Sequence, residues 1–299
     1  MNRPSMKLEK MVSGLFVAAL VAVLPATVEA QLPEHLRDYP LATLRKSGDL
    51  VAPFFDGWFD NGDGTVTYAF GFLNRNTEEV VDIPLGENNR IEPAQFDGVQ
   101  PTHFPVYNRR GLTGKRERQV FGVTVPKGTE VVWTLTHAGR TYAVPGRATS
   151  TAYDMGTFDM RAAFGSLHPE IGFTAEGPVT EGPEGQRAAA VSARVGTPVT
   201  LSALVKDQGE RLGLAEKEVY PVHATWILHQ GPEGARVQFD PETVTVDSEG
   251  WAQATTQATF TVPGQYVIRL RVDNFGAPDS RFDNQCCWSN AFVPVTVAP

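Results

Sequence analysis

Apolar and polar positions alternate with period two along most of this chain, in short runs broken by turn residues. In TVTYAFGF (Thr65–Phe72), Val66, Tyr68, Phe70 and Phe72 fall on one face. That is the mark of a strand with one face buried. RQVFGVTVP (Arg118–Pro126) and TEVVWTLTH (Thr129–His137) read as a pair joined by the Lys127-Gly128 turn, with RTYAVPG following after Ala138-Gly139. Turn residues at such spacing predict antiparallel strands. In DNGDGT (Asp60–Thr65), Gly62 and Gly64 stand where a calcium-binding loop needs oxygen ligands, so the segment reads as a hairpin turn.

Between Thr149 and Gln186 the periodicity lapses, in GSLHPE and EGPVTEGPEGQ. This predicts a linker or a strap along the surface. From Ala188 the alternation returns. Strands are predicted over Ala189–Val195, Pro198–Val205, Val222–Gln230, Ala235–Asp240, Thr243–Asp247, Trp251–Thr261, Gln265–Asn274 and Asn290–Ala298. That density of short strands fits an immunoglobulin-like sandwich. The expected fold is all-β, with two antiparallel β-sandwich domains. The expected division is 1–30 signal peptide, 31–53 N-terminal segment, 54–147 first sandwich, 148–187 strap and 188–299 immunoglobulin-like sandwich.

The signal peptide is read from Arg3, Lys7 and Lys10, then the apolar Val12–Leu24, then Pro25 and the VEA before Gln31. That thirteen-residue apolar stretch is too short to cross a bilayer core of about 30 Å as a helix, and no later stretch is apolar enough to span. The expectation is therefore a soluble mature protein, secreted or periplasmic, with no transmembrane segment after cleavage. Net charge is −8. An acidic chain lacks the clustered cations that neutralise phosphates, so nucleic acid is excluded as a partner. The basic loop Asn108–Arg118 has no interleaved aromatics.

Within 188–299, GTPVTLSALVKD, ATWILHQGPEGARVQF and ATFTVPGQYVIRLRVDN resemble the Ig-like and PKD-like domains of exported bacterial proteins. The resemblance implies a core role for Trp226 and a corner role for Tyr266. With FGFLNRNTEEVVDIPLGENNRIEP, GVQPTHFP and the CCW segment, most of the mature chain is similar to an uncharacterised group of exported bacterial two-domain β proteins. No activity is implied by that likeness.

Candidate chemistry is sparse. Cys286 and Cys287 are the only cysteines, and they are neighbours. In an oxidising compartment they are expected to form a strained vicinal disulfide that stiffens a loop. Pairing with another chain, metal binding with His223 or His229, and reduced thiols are the alternatives. Asn74, Arg75, Asn76, Asn88, Asn89, Gln100 and His103 form a cluster of amide, guanidinium and imidazole groups, suited to sugar hydroxyls or a carboxylate. The same residue types also tie loops together. Asp207, Asp273, Asp279 and Asp283 are weak calcium candidates on two loops; no other metal and no cofactor is expected. No sequence motif for catalysis is present. The chain reads as a non-enzymatic binding or structural protein of the envelope or extracellular space, its partner an envelope protein or a glycan. The alternative is a carbohydrate-binding accessory protein or hydrolase using the Asn/Arg/His cluster.

Overall fold

In the computed structural model of the chain, the described residues are 43–107, 115–155, 167–208, 221–247, 250–274 and 288–299. The predicted signal peptide, Cys286, Cys287, Asp279 and Asp283 lie outside them. Residues 44–299 form one compact unit. Among the described residues its regular structure is strand, apart from two single 3-10 turns. Among the described residues no helix is long and apolar enough to cross a membrane.

The N-terminal half carries β1 (Val51–Asp60), β2 (Thr65–Asn74), β3 (Val81–Asp82), β4 (Asn89–Glu92), β5 (His103–Phe104), β6 (Arg116–Pro126), β7 (Val131–His137) and β8 (Arg140–Gly146). They make two three-stranded sheets, β1-β2-β6 and β4-β7-β8, and a β3-β5 ribbon. The predicted face of β2 is buried: Val66, Tyr68, Phe70 and Phe72 all enter the core. Phe70 stacks on Phe121 of β6 at 5.4 Å, and Trp133 of β7 meets Phe121 edge-on at 5.0 Å. Such geometries suit the ring quadrupoles.

One pairing differs from the sequence expectation. β6 and β7 do not pair with each other; β6 pairs with β2, and β7 with β4 and β8. The Lys127-Gly128 turn carries the chain between sheets. The reason is the core itself. Both strands present an apolar face, and the rings of Phe121 and Trp133 meet across the sandwich only if the strands lie in opposite layers. The β7–β8 hairpin is as predicted. Ala138 (φ 49°) and Gly139 (φ 73°) both take the left-handed conformation that a tight two-residue turn requires.

The C-terminal half contains β9 (Glu170–Gly172), β10 (Val179–Thr180), β11 (Gln186–Arg187), β12 (Val191–Arg194), β13 (Val199–Lys206), β14 (Val222–Gln230), β15 (Val237–Asp240), β16 (Thr243–Val246), β17 (Ala252–Phe260), β18 (Gly264–Asp273) and β19 (Trp288–Ala298). All eight strands predicted after Ala188 are present. One sheet runs β10-β9-β13-β17-β15. The other runs β11-β19-β18-β14-β16, with β12 also on β19. β9, β10 and β11 come from the stretch expected as a strap. Strands of two or three residues leave no readable period. Trp226 is fully buried between the sheets. Tyr266 donates its hydroxyl hydrogen to the Val262 carbonyl at 2.7 Å, the arrangement that marks an immunoglobulin-type corner.

β18 is buried on both faces, and this joins the halves. Tyr266, Ile268, Leu270 and Val272 face the C-terminal core. On the other face, Val267 and Phe292 of β19 belong to the core of the N-terminal half. Farther along that face, Arg269 and Arg271 meet Glu117 of β6.

Candidate functional site

Most of the sequence-predicted polar cluster is turned inward. Asn74, Arg75, Asn76, Asn89 and Gln100 are buried. Asn74 Nδ2 donates to the carbonyls of Glu79 and Phe104, and its Oδ1 accepts from Asn76. Asn76 Oδ1 in turn accepts the Asp49 N–H, and Arg75 lies 3.7 Å from the Asp49 carboxylate. Asn89 Nδ2 donates to the Ile83 and Pro101 carbonyls while its Oδ1 accepts from Trp133 Nε1 at 3.0 Å. Gln100 closes the same loop through Asn89 O, Asp97 and Gly98. Buried amides of this kind satisfy loop backbone that would otherwise be stranded away from water. Asn88 is exposed.

His103 behaves differently. Its Nδ1 lies 2.6 Å from Asp82 Oδ1. Asp82 Oδ2 accepts the Gly234 N–H at 2.9 Å and sits 3.5 Å from Arg236. Burial pulls the Asp82 pKa up, but the His103 and Gly234 hydrogen bonds outweigh it and the net shift is downward. The carboxylate is therefore ionised and accepts the imidazole Nδ1–H, which fixes the orientation of the ring.

His103 also lines a cavity of about 600 Å³. Three walls meet there: Thr225–Leu228 of β14, Arg236–Phe239 along β15, and His103 with Pro105–Tyr107 from the N-terminal half. The cavity follows from a change of sheet. β15 pairs with β17 in one layer; two residues later the chain continues as β16, which pairs with β14 in the other. β16 covers β14 only over Val222–Thr225. One further bond follows, from Trp226 N–H to the Glu242 carbonyl at 2.9 Å. Beyond it, among the described residues, no strand is paired with that side of β14.

Beneath the cavity lies a charged cluster. Glu117 Oε1 accepts from Arg269 Nη2 at 2.8 Å and Arg271 Nη1 at 2.7 Å, and Arg271 Nε donates to Asp273 at 3.2 Å. Burial alone would lower the Arg271 pKa; the Glu117 and Asp273 carboxylates reverse that and hold it well above its usual value. Period-two alternation does not reveal this cluster, because Glu117 lies 152 and 154 residues from the two arginines. Asp273 is thus engaged by Arg271. The other described calcium candidate, Asp207, accepts weakly from Asn274 at 3.4 Å. Among the described residues no three His, Cys, Asp or Glu side chains gather around a common point.

The joint also buries a histidine. His229 Nε2 lies 2.8 Å from the Val99 carbonyl, which can only accept, so this nitrogen carries the proton. Burial drives its pKa down to about 3; the carbonyl bond opposes this, and the charges of Arg269 and Arg187 add to it. His223 lies on the same face of β14, six residues away, and bonds Thr245. The two differ because residues 98–102 cover only the far end of that strand. Gln230 donates there to the carbonyls of Gly98 and Gln100.

No family model and no curated protein sequence matches the chain. Solved structures similar to it include the D00-D0 domain of intimin, with 9% identity, 83% of this chain and 100% of that chain covered, and a TM-score of 0.26. The secreted serine protease VesC from Vibrio cholerae has 8% identity, coverages of 86% and 69%, and a TM-score of 0.30. Domains 4 and 5 of the S-layer protein SbsC have 14% identity, coverages of 57% and 66%, and a TM-score of 0.24. At such scores nothing about this chain's activity follows from theirs.

Proposed function

We propose that this protein is an exported, non-enzymatic binding or structural module of the cell envelope or extracellular space, and that the groove between β14, β15 and the His103–Tyr107 segment is where it binds. The observation that carries the reading is the groove's construction. Both halves of the molecule contribute a wall, and the buried Glu117–Arg269–Arg271 cluster holds those walls in place. A site pre-formed in this way binds without the cost of ordering itself. Export rests on the N-terminal Arg3–Ala30 pattern, which directs the chain to the periplasm or outside the cell. In that compartment Cys286 and Cys287 are expected to be oxidised to each other.

The test is a binding screen on the protein beginning at Gln31, against glycans, peptidoglycan fragments and peptides, repeated with Ile227→Arg in the groove. Binding that Ile227→Arg abolishes supports the reading. Binding that the substitution leaves unchanged moves the site elsewhere. The His103–Asp82 pair favours a second reading, a hydrolase or carbohydrate-binding accessory protein, since an imidazole oriented by a carboxylate can act as a general base. Turnover of a glycan or ester substrate that His103→Asn removes, with the melting temperature unchanged, would replace the first reading by the second.

A further inference from the structure

We infer that the groove takes an extended peptide segment from another protein, which adds as a strand to the open edge of β15. The inference rests on the binding role proposed above and names its partner.

Among the described residues β15 lies at the end of its sheet and pairs only with β17. The ladder fixes which of its backbone groups are used. The Arg236 carbonyl accepts from Thr261 N–H at 3.1 Å, so that pair is bonded to β17. In an antiparallel ladder bonded and non-bonded pairs alternate. Gln238 and Asp240 therefore point their N–H and C=O groups at β17, while those of Val237 and Phe239 point away from it, on the side where the cavity lies. Across the cavity, the Trp226 N–H faces the β16 side of β14. By the same alternation Leu228, two residues on, turns its N–H and C=O to that side, past the end of β16.

The side chains agree with the backbone. Val237 and Phe239 are on the inner face of β15 and pack against the C-terminal core, yet both remain only partly buried. Their counterparts Ala258 and Phe260 on β17, one strand inward, are fully buried. What separates the two pairs is that, among the described residues, no strand lies on the outer side of β15. A strand there would satisfy the outward backbone groups and place every second side chain over Val237 and Phe239, since side chains alternate along a strand. Pro105, Val106 and Ile227 line the walls around it. The chemistry that fits is an extended segment with apolar residues at alternate positions, recognised through its main chain and by pockets for alternate side chains. β15 is short, which limits uncontrolled pairing at an open edge. The N-terminal wall narrows the approach further.

A library of linear peptides panned against the protein beginning at Gln31 tests this directly. Enrichment of sequences with alternating apolar residues is expected. The enriched peptides should bind Val237→Pro roughly tenfold more weakly, because proline deletes an outward N–H without breaking a bond to β17. In case Val237→Pro does not fold, the peptides themselves supply a second measurement: N-methylation at alternate residues should abolish binding to the unaltered protein. Peptides that bind Val237→Pro, or that bind after N-methylation in either register, as well as before would overturn strand addition. Glycan binding without peptide binding would overturn the peptide partner while keeping a binding module. A dimer that Val237→Pro dissociates would replace the foreign segment with a second copy of this chain. If neither peptides nor glycans bind, this inference and the reading beneath it both fall.

Discussion

Glu117 accepts hydrogen bonds from two arginines of a single strand, Arg269 and Arg271, at 2.8 and 2.7 Å. It sits on β6 of the N-terminal half, and they sit two residues apart on β18 of the C-terminal half. Two residues is the repeat of one strand face, so a single carboxylate bridges both guanidinium groups. The carboxylate and the Arg269 side chain are almost completely buried. Removing one partner of a buried ion pair leaves an uncompensated charge and costs about 3–5 kcal/mol. Glu117→Ala should destabilise the whole unit by that order, measured by chemical denaturation. Paired substitution of Glu117 and both arginines by apolar residues should recover much of the loss.

The buried histidines give stability a pH dependence of known sign. His229 is held neutral in the fold with its pKa at about 3, against 6.5 when exposed, and burial likewise holds His168 at about 4. Above pH 6.5 both states are neutral there and the fold is unpenalised. As pH falls below 6.5 the unfolded chain takes up protons that the folded chain refuses, so stability declines until about pH 3. At roughly 1.4 kcal/mol per pKa unit, His229 alone accounts for about 5 kcal/mol at full effect. Urea midpoints measured between pH 7 and 4 should fall steadily, and His229→Gln, which keeps a donor for the Val99 carbonyl, should flatten the slope. An unchanged slope would show that His229 is not the titrating group.

Two buried tryptophans should respond differently to the same change. Trp133 Nε1 donates to Asn89 Oδ1 at 3.0 Å, whereas Trp226 Nε1 has no hydrogen-bond partner among the described residues. Trp133→Phe strips a buried acceptor of its donor and should cost about 1–3 kcal/mol beyond the lost volume. Trp226→Phe loses volume only. Trp226→Ala, which empties the C-terminal core, should cost about 3–5 kcal/mol. Melting curves of the three variants provide the ranking.

Gly122 of β6 lies directly against the segment before β11. A Cβ there would come within 2.7 Å of Glu184 N and 2.8 Å of its Cα, both backbone atoms. Gly122→Ala should therefore push residues 182–187 off their seat. Limited proteolysis is expected to cut that segment sooner in the variant, with cleavage elsewhere unchanged.

Much of the fold was legible because its strands are long enough to show a period. The eight strands after Ala188, the buried face of β2, the core position of Trp226 and the corner of Tyr266 all follow from alternation or from the Ig-like resemblance. The candidate site was legible only in part. Asn74, Asn76, Asn89 and Gln100 were visible as polar residues near turns, but a sequence does not say whether an amide faces solvent or caps a loop from inside. Burial decided that, and of the set only His103 reaches the groove.

The sequence by itself determined the local elements: strands from period-two alternation and turns from Gly, Asn and Asp. Each depends on residues within one or two turns of chain. The tertiary structure decided everything that depends on residues far apart. It placed β6 and β7 in opposite sheets, gave β18 a second buried face, and brought Glu117 to arginines 152 and 154 positions away. It also opened a groove where the chain crosses between sheets after Asp240. Side-chain alternation records which residues share a face, and it carries no information about what that face meets.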